Sequence, residues 1–224
     1  MKLRQSTLKY KKNFNCCEAV EKSSDPPHGR YTVFLDRDGV INADSPDYIK
    51  KPSEFHFLEN APQAVALLCK NGFDVILITN QSVINRKMAS LNDLEAIFNK
   101  MKRGIEKAGG KIKDIFFCPH MPGQGCTCRK PRPGLILQAA EKYGIDLTNS
   151  CMVGDSVKDM ECAENAGCST RVLVKTGNGE KAAQILNKRA VQPDLICKDL
   201  MAAAEWISRN LKTASENNSL KDFL

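Results

Sequence analysis

The sequence predicts a doubly wound α/β domain built on a parallel sheet, and three observations carry that prediction. Short apolar runs alternate with stretches of helical periodicity, the pattern of successive βαβ units. The first of these runs, Tyr31 to Leu35, has no polar face, as a strand buried between two helical layers requires. Three runs also end in polar clusters, DRDG at 36–39, TNQS at 79–82 and GDS at 154–156. Ligands bind at the carboxyl ends of strands in open sheets of this class.

Residues 1–29 read as an extension or linker, polar and basic and closing in SSDPPHG. Cys16, Cys17 and His28 are too isolated there to be assigned a metal. The strand from Tyr31 then delivers Asp36 and Asp38, two apart on an extended chain and therefore on one face. Like charges so close need a cation or a shared proton to offset them. Gly39 permits a sharp turn straight after.

The loop at 43–60 (ADSPDYIKKPSEFHFLEN) is long for a βα connection, which marks it as a candidate functional loop. Pro62 opens a helix over APQAVALLCK, and Phe73–Ile78 is a second strand, running into Thr79, Asn80, Gln81 and Ser82. Those small polar residues suit either an anion site or a helix cap. Ser90 is a candidate N-cap for a helix whose Leu91, Leu94, Ile97, Phe98, Met101 and Ile105 share a face. The third strand is expected over Lys111–Phe117. A helix over GLILQAAEKYG follows, then a strand over Asn149–Val153 that leads into Asp155, and a helix carrying Met160–Ala166. The strand STRVLV, the loop KTGNGE, a helix from about Lys181, a short strand DLIC and an amphipathic helix around Trp206 complete the order. The domain is thus expected over 30–212, with a tail at 213–224.

The chain has 224 residues, enough for a sizeable core, and a net charge of +7 that favours anionic partners, nucleic acid and sugar phosphate alike. No apolar run approaches the roughly 20 residues that span a bilayer. The basic N-terminus lacks the apolar segment of a secretory signal. A cytoplasmic, monomeric protein with no membrane partner is expected. With no such signal, its ten cysteines point to free core thiols and a metal site rather than disulfides.

The metal site is local. Cys118, His120, Cys126 and Cys128 form C-x-H and C-x-C pairs joined by a short Gly/Pro segment. Four N/S ligands without a carboxylate suit a closed tetrahedral Zn2+ site, structural because no position is left for substrate. A redox dithiol fits less well. Arg129 and Lys130 follow at once, so a rigid clip would aim two cations at the strand-end cluster, where they would clamp phosphate.

A carboxylate nucleophile, a second carboxylate, hydroxyl and amide donors, a lysine and a further Asp together suit phosphoryl transfer. The motifs DRDG (36–39), TN (79–80), RK (129–130) and GDSVKD (154–159), in this order, resemble the haloacid-dehalogenase-like phosphatases. Within them the chain is similar to the heptose-bisphosphate and histidinol-phosphate phosphatase family, through DRDGVIN, ADSPDYIK, TNQS and the zinc loop running into CRKPRPG. The resemblance covers about residues 31–210. It implies a Rossmann-like fold with no large cap domain, and Mg2+-dependent hydrolysis of a small sugar phosphate through an aspartyl-phosphate. The heptose 1,7-bisphosphate is the favoured substrate, losing its 7-phosphate in the supply of precursors for surface polysaccharide. Histidinol phosphate is the alternative. A nucleic-acid 3′-phosphatase is disfavoured by the zinc loop and the absence of a partner kinase domain, and a non-catalytic binding module by the intact motifs.

By resemblance, Asp36 is the nucleophile and Asp38 the acid and then the base. Asp36, the backbone oxygen of Asp38, and Asp155 hold Mg2+. Thr79, Asn80 and Lys130 bind the transferring phosphoryl group. Arg129 and the loop with Asp44, Ser45, Asp47 and Tyr48 meet the rest of the substrate, with Gln81 and Ser82 beside them. Asp159 supports Lys130 or the metal. Two departures bear on specificity. Val83-Ile84-Asn85-Arg86-Lys87 replaces the family's G-I-A-R-G, and Ser156 stands where related heptose enzymes often carry lysine.

Overall fold

The computed structural model describes residues 30–211. The expected extension at 1–29, with Cys16, Cys17 and His28, and the tail at 213–224 lie outside the described residues. Six strands form one parallel sheet: β1 (Thr32–Leu35), β2 (Asp74–Asn80), β3 (Asp114–Cys118), β4 (Ser150–Gly154), β5 (Thr170–Val174) and β6 (Leu195–Cys197). Their spatial order is β3-β2-β1-β4-β5-β6, so the direction of winding reverses beside β1. That switch point is where a doubly wound sheet opens a ligand crevice.

The helices are α1 (Ala61–Lys70), α2 (Leu91–Lys107), α3 (Gly134–Tyr143), α4 (Val157–Ala166), α5 (Gly179–Leu186) and α6 (Leu200–Asn210). Side chains alternate across the strands and divide the core in two. Val33, Leu35, Val75, Leu77, Cys151, Val153, Val172 and Val174 pack with residues of α1, α2 and α6. Phe34, Ile76, Ile78 and Met152 pack with α3 and α4 on the other face. Burying a side chain such as Phe34, which is fully inaccessible, contributes roughly 1.5–3 kcal/mol.

Local signals account for most element ends. Ser90 caps α2, reciprocally with Asp93, as expected. β3 starts at Asp114 rather than Lys111, because pairing with β2 begins at Ile76, opposite Asp114, and Lys111 instead contacts Cys69. α5 starts at Gly179, two residues before the expected Lys181, with Asn178 at its cap position. Among the described residues all regular structure belongs to the sheet, its helices and two short 3-10 turns, so loops stand where a cap domain would. No helix of the described residues is long and apolar enough to cross a membrane.

Candidate active site

The strands bring the separated motifs to one edge. The parallel ladder continues one residue past β1, where Asp36 N donates to Val153 O of β4 at 3.0 Å. Asp36 therefore leaves the sheet beside Asp155, which follows β4. Gly39 takes φ +78°, and a Cβ at this position would lie 2.1 Å from Asp155 Oδ2, so a side chain could not be accommodated.

Lys130 is the centre of the floor. Its Nζ lies 2.9 Å from Asp36 Oδ1 and 2.6 Å from Asp159 Oδ1, and donates to Ile78 O at 3.0 Å. Asn80 fixes the lysine's backbone in both directions: Lys130 N donates to Asn80 Oδ1 at 3.1 Å, and Asn80 Nδ2 donates to Lys130 O at 3.3 Å. The Asn80 side chain is thus engaged in placing Lys130. Thr79 Oγ1 accepts from Gln81 Nε2 at 2.9 Å, which leaves its hydroxyl proton for a ligand.

Carboxyl oxygens of Asp36, Asp155 and Asp159 all lie within 4.8 Å of one another. Burial, together with Asp159 and Asp38 and against the opposing pull of Lys130, pushes Asp36 up to about 7. Burial, Asp159 and Asp36 likewise push Asp155 up to about 8. Burial would lower Lys130, but the Asp159 and Asp36 carboxylates outweigh it and hold the ammonium above the ordinary lysine range. Lys130 is paired with two of these three acids and, among the described residues, is the one cation paired with them. The cluster therefore has an unmet demand for positive charge, and its all-oxygen donors suit a hard dication.

Asp38 is held differently. Burial would raise its carboxyl, but Arg37 overrides this, assisted by Asn42 and Gln81, and keeps it below the usual range. The contacts are Arg37 Nε at 3.0 Å, Asn42 Nδ2 at 2.9 Å and Gln81 Nε2 at 3.0 Å. Arg37 itself is only 1 % exposed.

The zinc loop matches its expectation in geometry. Cys118 Sγ lies 3.7 Å from Cys126 Sγ and 3.2 Å from Cys128 Sγ, and His120 Nδ1 lies 3.5 Å from Cys118 Sγ and 3.4 Å from Cys128 Sγ. A tetrahedron with Zn–S bonds of about 2.3 Å has edges of roughly 3.8 Å, so the four donors fit one Zn2+. Two arginines just beyond the last cysteine tie back to the loop: Arg129 donates to His120 O at 2.9 Å, and Arg132 donates to Cys126 O.

These groups open on a cavity of about 510 Å3. Of the residues expected at the site, Asp36, Asp38, Asp44, Ser45, Tyr48, Thr79, Asn80, Gln81, Ser82, Arg129, Lys130 and Asp155 line it. Asp47 does not. It is exposed, and its backbone oxygen instead accepts from Lys50 Nζ at 2.7 Å.

The loop after β5 escaped the sequence reading. Thr176 Oγ1 donates to Gly39 O at 2.6 Å, and Asn178 N donates to Asp155 Oδ2 at 2.8 Å. Asn178 Nδ2 reaches Asp44 Oδ2 at 3.2 Å and so joins the acidic floor to the 43–60 loop. A Cβ on Gly177 would lie 2.2 Å from Asp155 Oδ2. The available signal was a Gly-rich loop at the carboxyl end of a strand. Arg37, inside DRDG, and Arg86, inside the segment at 83–87, enter the sequence reading only as parts of those segments, with no role of their own.

Comparison with known proteins places this geometry. The HAD-hydrolase-like family model matches residues 127–203. The D-glycero-beta-D-manno-heptose-1,7-bisphosphate 7-phosphatase of Bordetella bronchiseptica is 42 % identical over 175 residues, 78 % of this chain and 96 % of that one. The Pseudomonas aeruginosa enzyme of the same name is 43 % identical over 175 residues, again 78 % of this chain and 96 % of that one. The crystal structure of the B. bronchiseptica D,D-heptose 1,7-bisphosphate phosphatase, complexed with magnesium and phosphate, superposes with a TM-score of 0.75 at 41 % identity, covering 80 % of this chain and 98 % of that one. At this identity, over nearly the whole of its relatives' length, the chain belongs to the D-glycero-beta-D-manno-heptose-1,7-bisphosphate 7-phosphatase family of haloacid-dehalogenase-like hydrolases.

Proposed function

We propose that the protein hydrolyses the 7-phosphate of D-glycero-D-manno-heptose 1,7-bisphosphate, with Asp36 as nucleophile. The observation that carries this reading is the meeting of Asp36, Asp155 and Asp159 at the switch point of the sheet, with Lys130 paired to Asp36 and Asp159. The close relatives named for this reaction, and the neighbour that holds magnesium and phosphate, support it.

The carboxylates of Asp36 and Asp155 and the backbone oxygen of Asp38 would hold Mg2+. When bound, the ion neutralises charge on both the nucleophile and the phosphoryl oxygens. Lys130 and the Thr79 hydroxyl supply further positive charge and a donor to the transferring group. The Asp36 carboxylate attacks phosphorus, the bond from phosphorus to the sugar O7 breaks, and the departing oxygen takes a proton from Asp38. Water then attacks the aspartyl-phosphate, giving its proton to Asp38 and releasing inorganic phosphate and the Asp36 carboxylate. In the free site Asp38 is an ion held by Arg37. An incoming phosphate dianion raises its proton affinity, as like charge does, and so prepares it to act as the acid.

The four donors of the Cys/His cluster would hold Zn2+ and shape a loop at the cavity mouth. That mouth carries Arg86, Arg129 and Lys158. Among the described residues none of the three has a carboxylate within 4.0 Å, whereas the cations of the floor are paired. An acidic floor beneath a basic rim suits a substrate with a second phosphate. The experiment is a panel of esters with Mg2+: the α and β anomers of the heptose bisphosphate, histidinol phosphate and a 3′-phosphorylated oligonucleotide. A preference for either heptose bisphosphate supports the proposal, and a higher kcat/KM on one of the other two esters removes it.

A further inference from the structure

Two loops face each other across the cavity mouth, and each holds a non-glycine residue in the left-handed backbone region. Tyr48 has φ 62° and Lys87 has φ 58°, and Asn60 is the one further case among the described residues. Such a conformation carries a steric cost and persists only where the surroundings impose it.

Arg86 joins the two loops. Its guanidinium carbon is 5.5 Å from the centre of the Tyr48 ring. That distance is within cation–π range. Among the described residues no carboxylate lies within 4.0 Å of the guanidinium, whose N–H fork suits an oxyanion. On the other side, Asn85 Nδ2 donates to Gln124 Oε1 at 3.1 Å. That same oxygen accepts from Met121 N at 2.7 Å, within the zinc loop. The turn carrying Arg86 is closed by its own backbone, through Arg86 N to Ser82 O at 2.9 Å and Met88 N to Val83 O at 3.0 Å. Arg86 is thus held from one side by the loop at 43–60 and from the other by the zinc loop, over a cavity that it lines.

We propose that Arg86 is a specificity-determining residue that binds the second anionic group of the substrate, the phosphate that is not transferred. Asn85 and Gln124 are positioning residues that make its placement depend on the zinc loop. This rests on the bisphosphate reading above and deepens it.

The test compares kcat and KM for the heptose 1,7-bisphosphate and for the heptose 7-phosphate, which lacks the second anion. It uses the full chain and the variants R86A, R86K and N85A. A charge-assisted bond of this type corresponds to roughly 10- to 100-fold in binding. R86A is expected to lower the ratio of the two kcat/KM values by that factor, through KM for the bisphosphate, and R86K to recover part of it. N85A is expected to shift the ratio several-fold in the same direction, with zinc content and melting temperature unchanged. If R86A lowers kcat/KM equally for both esters, Arg86 does not read the second phosphate. An unmoved ratio in N85A overturns the positioning role. A wild-type protein inactive on both esters is a different failure, since it removes the bisphosphate reading itself and with it the ligand assigned to Arg86.

Discussion

The floor and the mouth of the cavity are built on opposite principles. On the floor, Asp36 and Asp155 follow strands, Lys130 sits on a segment clamped by Asn80 and Asp159 in the first turn of α4, with Lys130 and Asp155 each 3 % exposed and Asp159 fully buried. Lys130 alone meets two carboxylates and a backbone oxygen there. At the mouth, the loops at 43–60 and 83–88 are anchored by a few buried side chains, Ile49, Phe55 and Val83, while their tips and the zinc loop reach over the cavity. They are joined by single contacts, Arg86 on Tyr48 and Asn85 to Gln124. A metal-ligand cluster stands in for a core in the zinc loop. Charge divides the same way, with an excess of carboxylates below and, among the described residues, cations without a carboxylate partner above. In the proposed mechanism, the chemistry sits on the floor, where position is over-determined, and substrate sorting falls to loops that can change without disturbing the sheet.

Removing the nucleophile is the sharpest way to break that comparison. Asp36→Asn should lower kcat by at least about 10³-fold, the scale on which essential nucleophiles act. The metal-free protein should melt no lower than wild type, because one of three crowded carboxylates has gone. A variant that retains full hydrolysis would mean that Asp36 is not the nucleophile.

The mouth should fail differently. Cys126→Ser should lose bound zinc and raise KM for the bisphosphate by roughly tenfold or more, since metal binding supplies much of the order of such a small loop. Its kcat should change less than in Asp36→Asn. Zinc content measured beside the kinetics decides this, and unchanged zinc would count against a four-ligand site.

Acid–base linkage sharpens the contrast from the floor. Asp36 and Asp155 have folded values of about 7 and about 8, raised above the ordinary 3.8. The folded state therefore binds more protons than the unfolded one between those limits, and stability falls with rising pH. The contribution is complete below the unfolded value and gone above the folded ones. Metal-free protein should lose melting temperature from about pH 5 to pH 8, and added Mg2+ should raise it more at pH 8.5 than at pH 5.5. A Mg2+ increment independent of pH would separate the ion from these two carboxylates.

The smallest effect is expected at the cap of α4, where Ser156 N and Oγ both donate to Asp159 Oδ2, at 3.0 and 2.6 Å. Ser156→Ala should cost about 1 kcal/mol, as lost helix caps do. Chemical denaturation measures it, and a cost near zero would show that Lys130 and the Ser156 backbone N–H suffice to hold Asp159.

Much of this architecture was legible in the residues. Apolar runs without a polar face foretold the buried parallel strands, and Ser90 foretold the start of α2. The spacing of Cys118, His120, Cys126 and Cys128 foretold a cluster whose donors do lie within bonding reach of one ion. Strand boundaries were less legible. Where β3 begins depends on what β2 offers as a partner, and local propensity does not contain that information. Asp47 was expected at the site because its loop was, but the turn at Tyr48, directly after it, leaves it facing solvent.

The sequence alone therefore determined which chemical groups the protein has and which strand ends carry them, because periodicity and turn residues act over a few positions. Only the tertiary structure decided what each group does with its neighbours. Arg37 beside Asp38, Asn178 on Asp155, Asn80 behind Lys130 and Arg86 over Tyr48 illustrate this. Apart from the first, these are meetings between residues far apart in the chain. Their physical cause is the winding order of the sheet, which brings separate strand ends to one edge and surrounds them with loops.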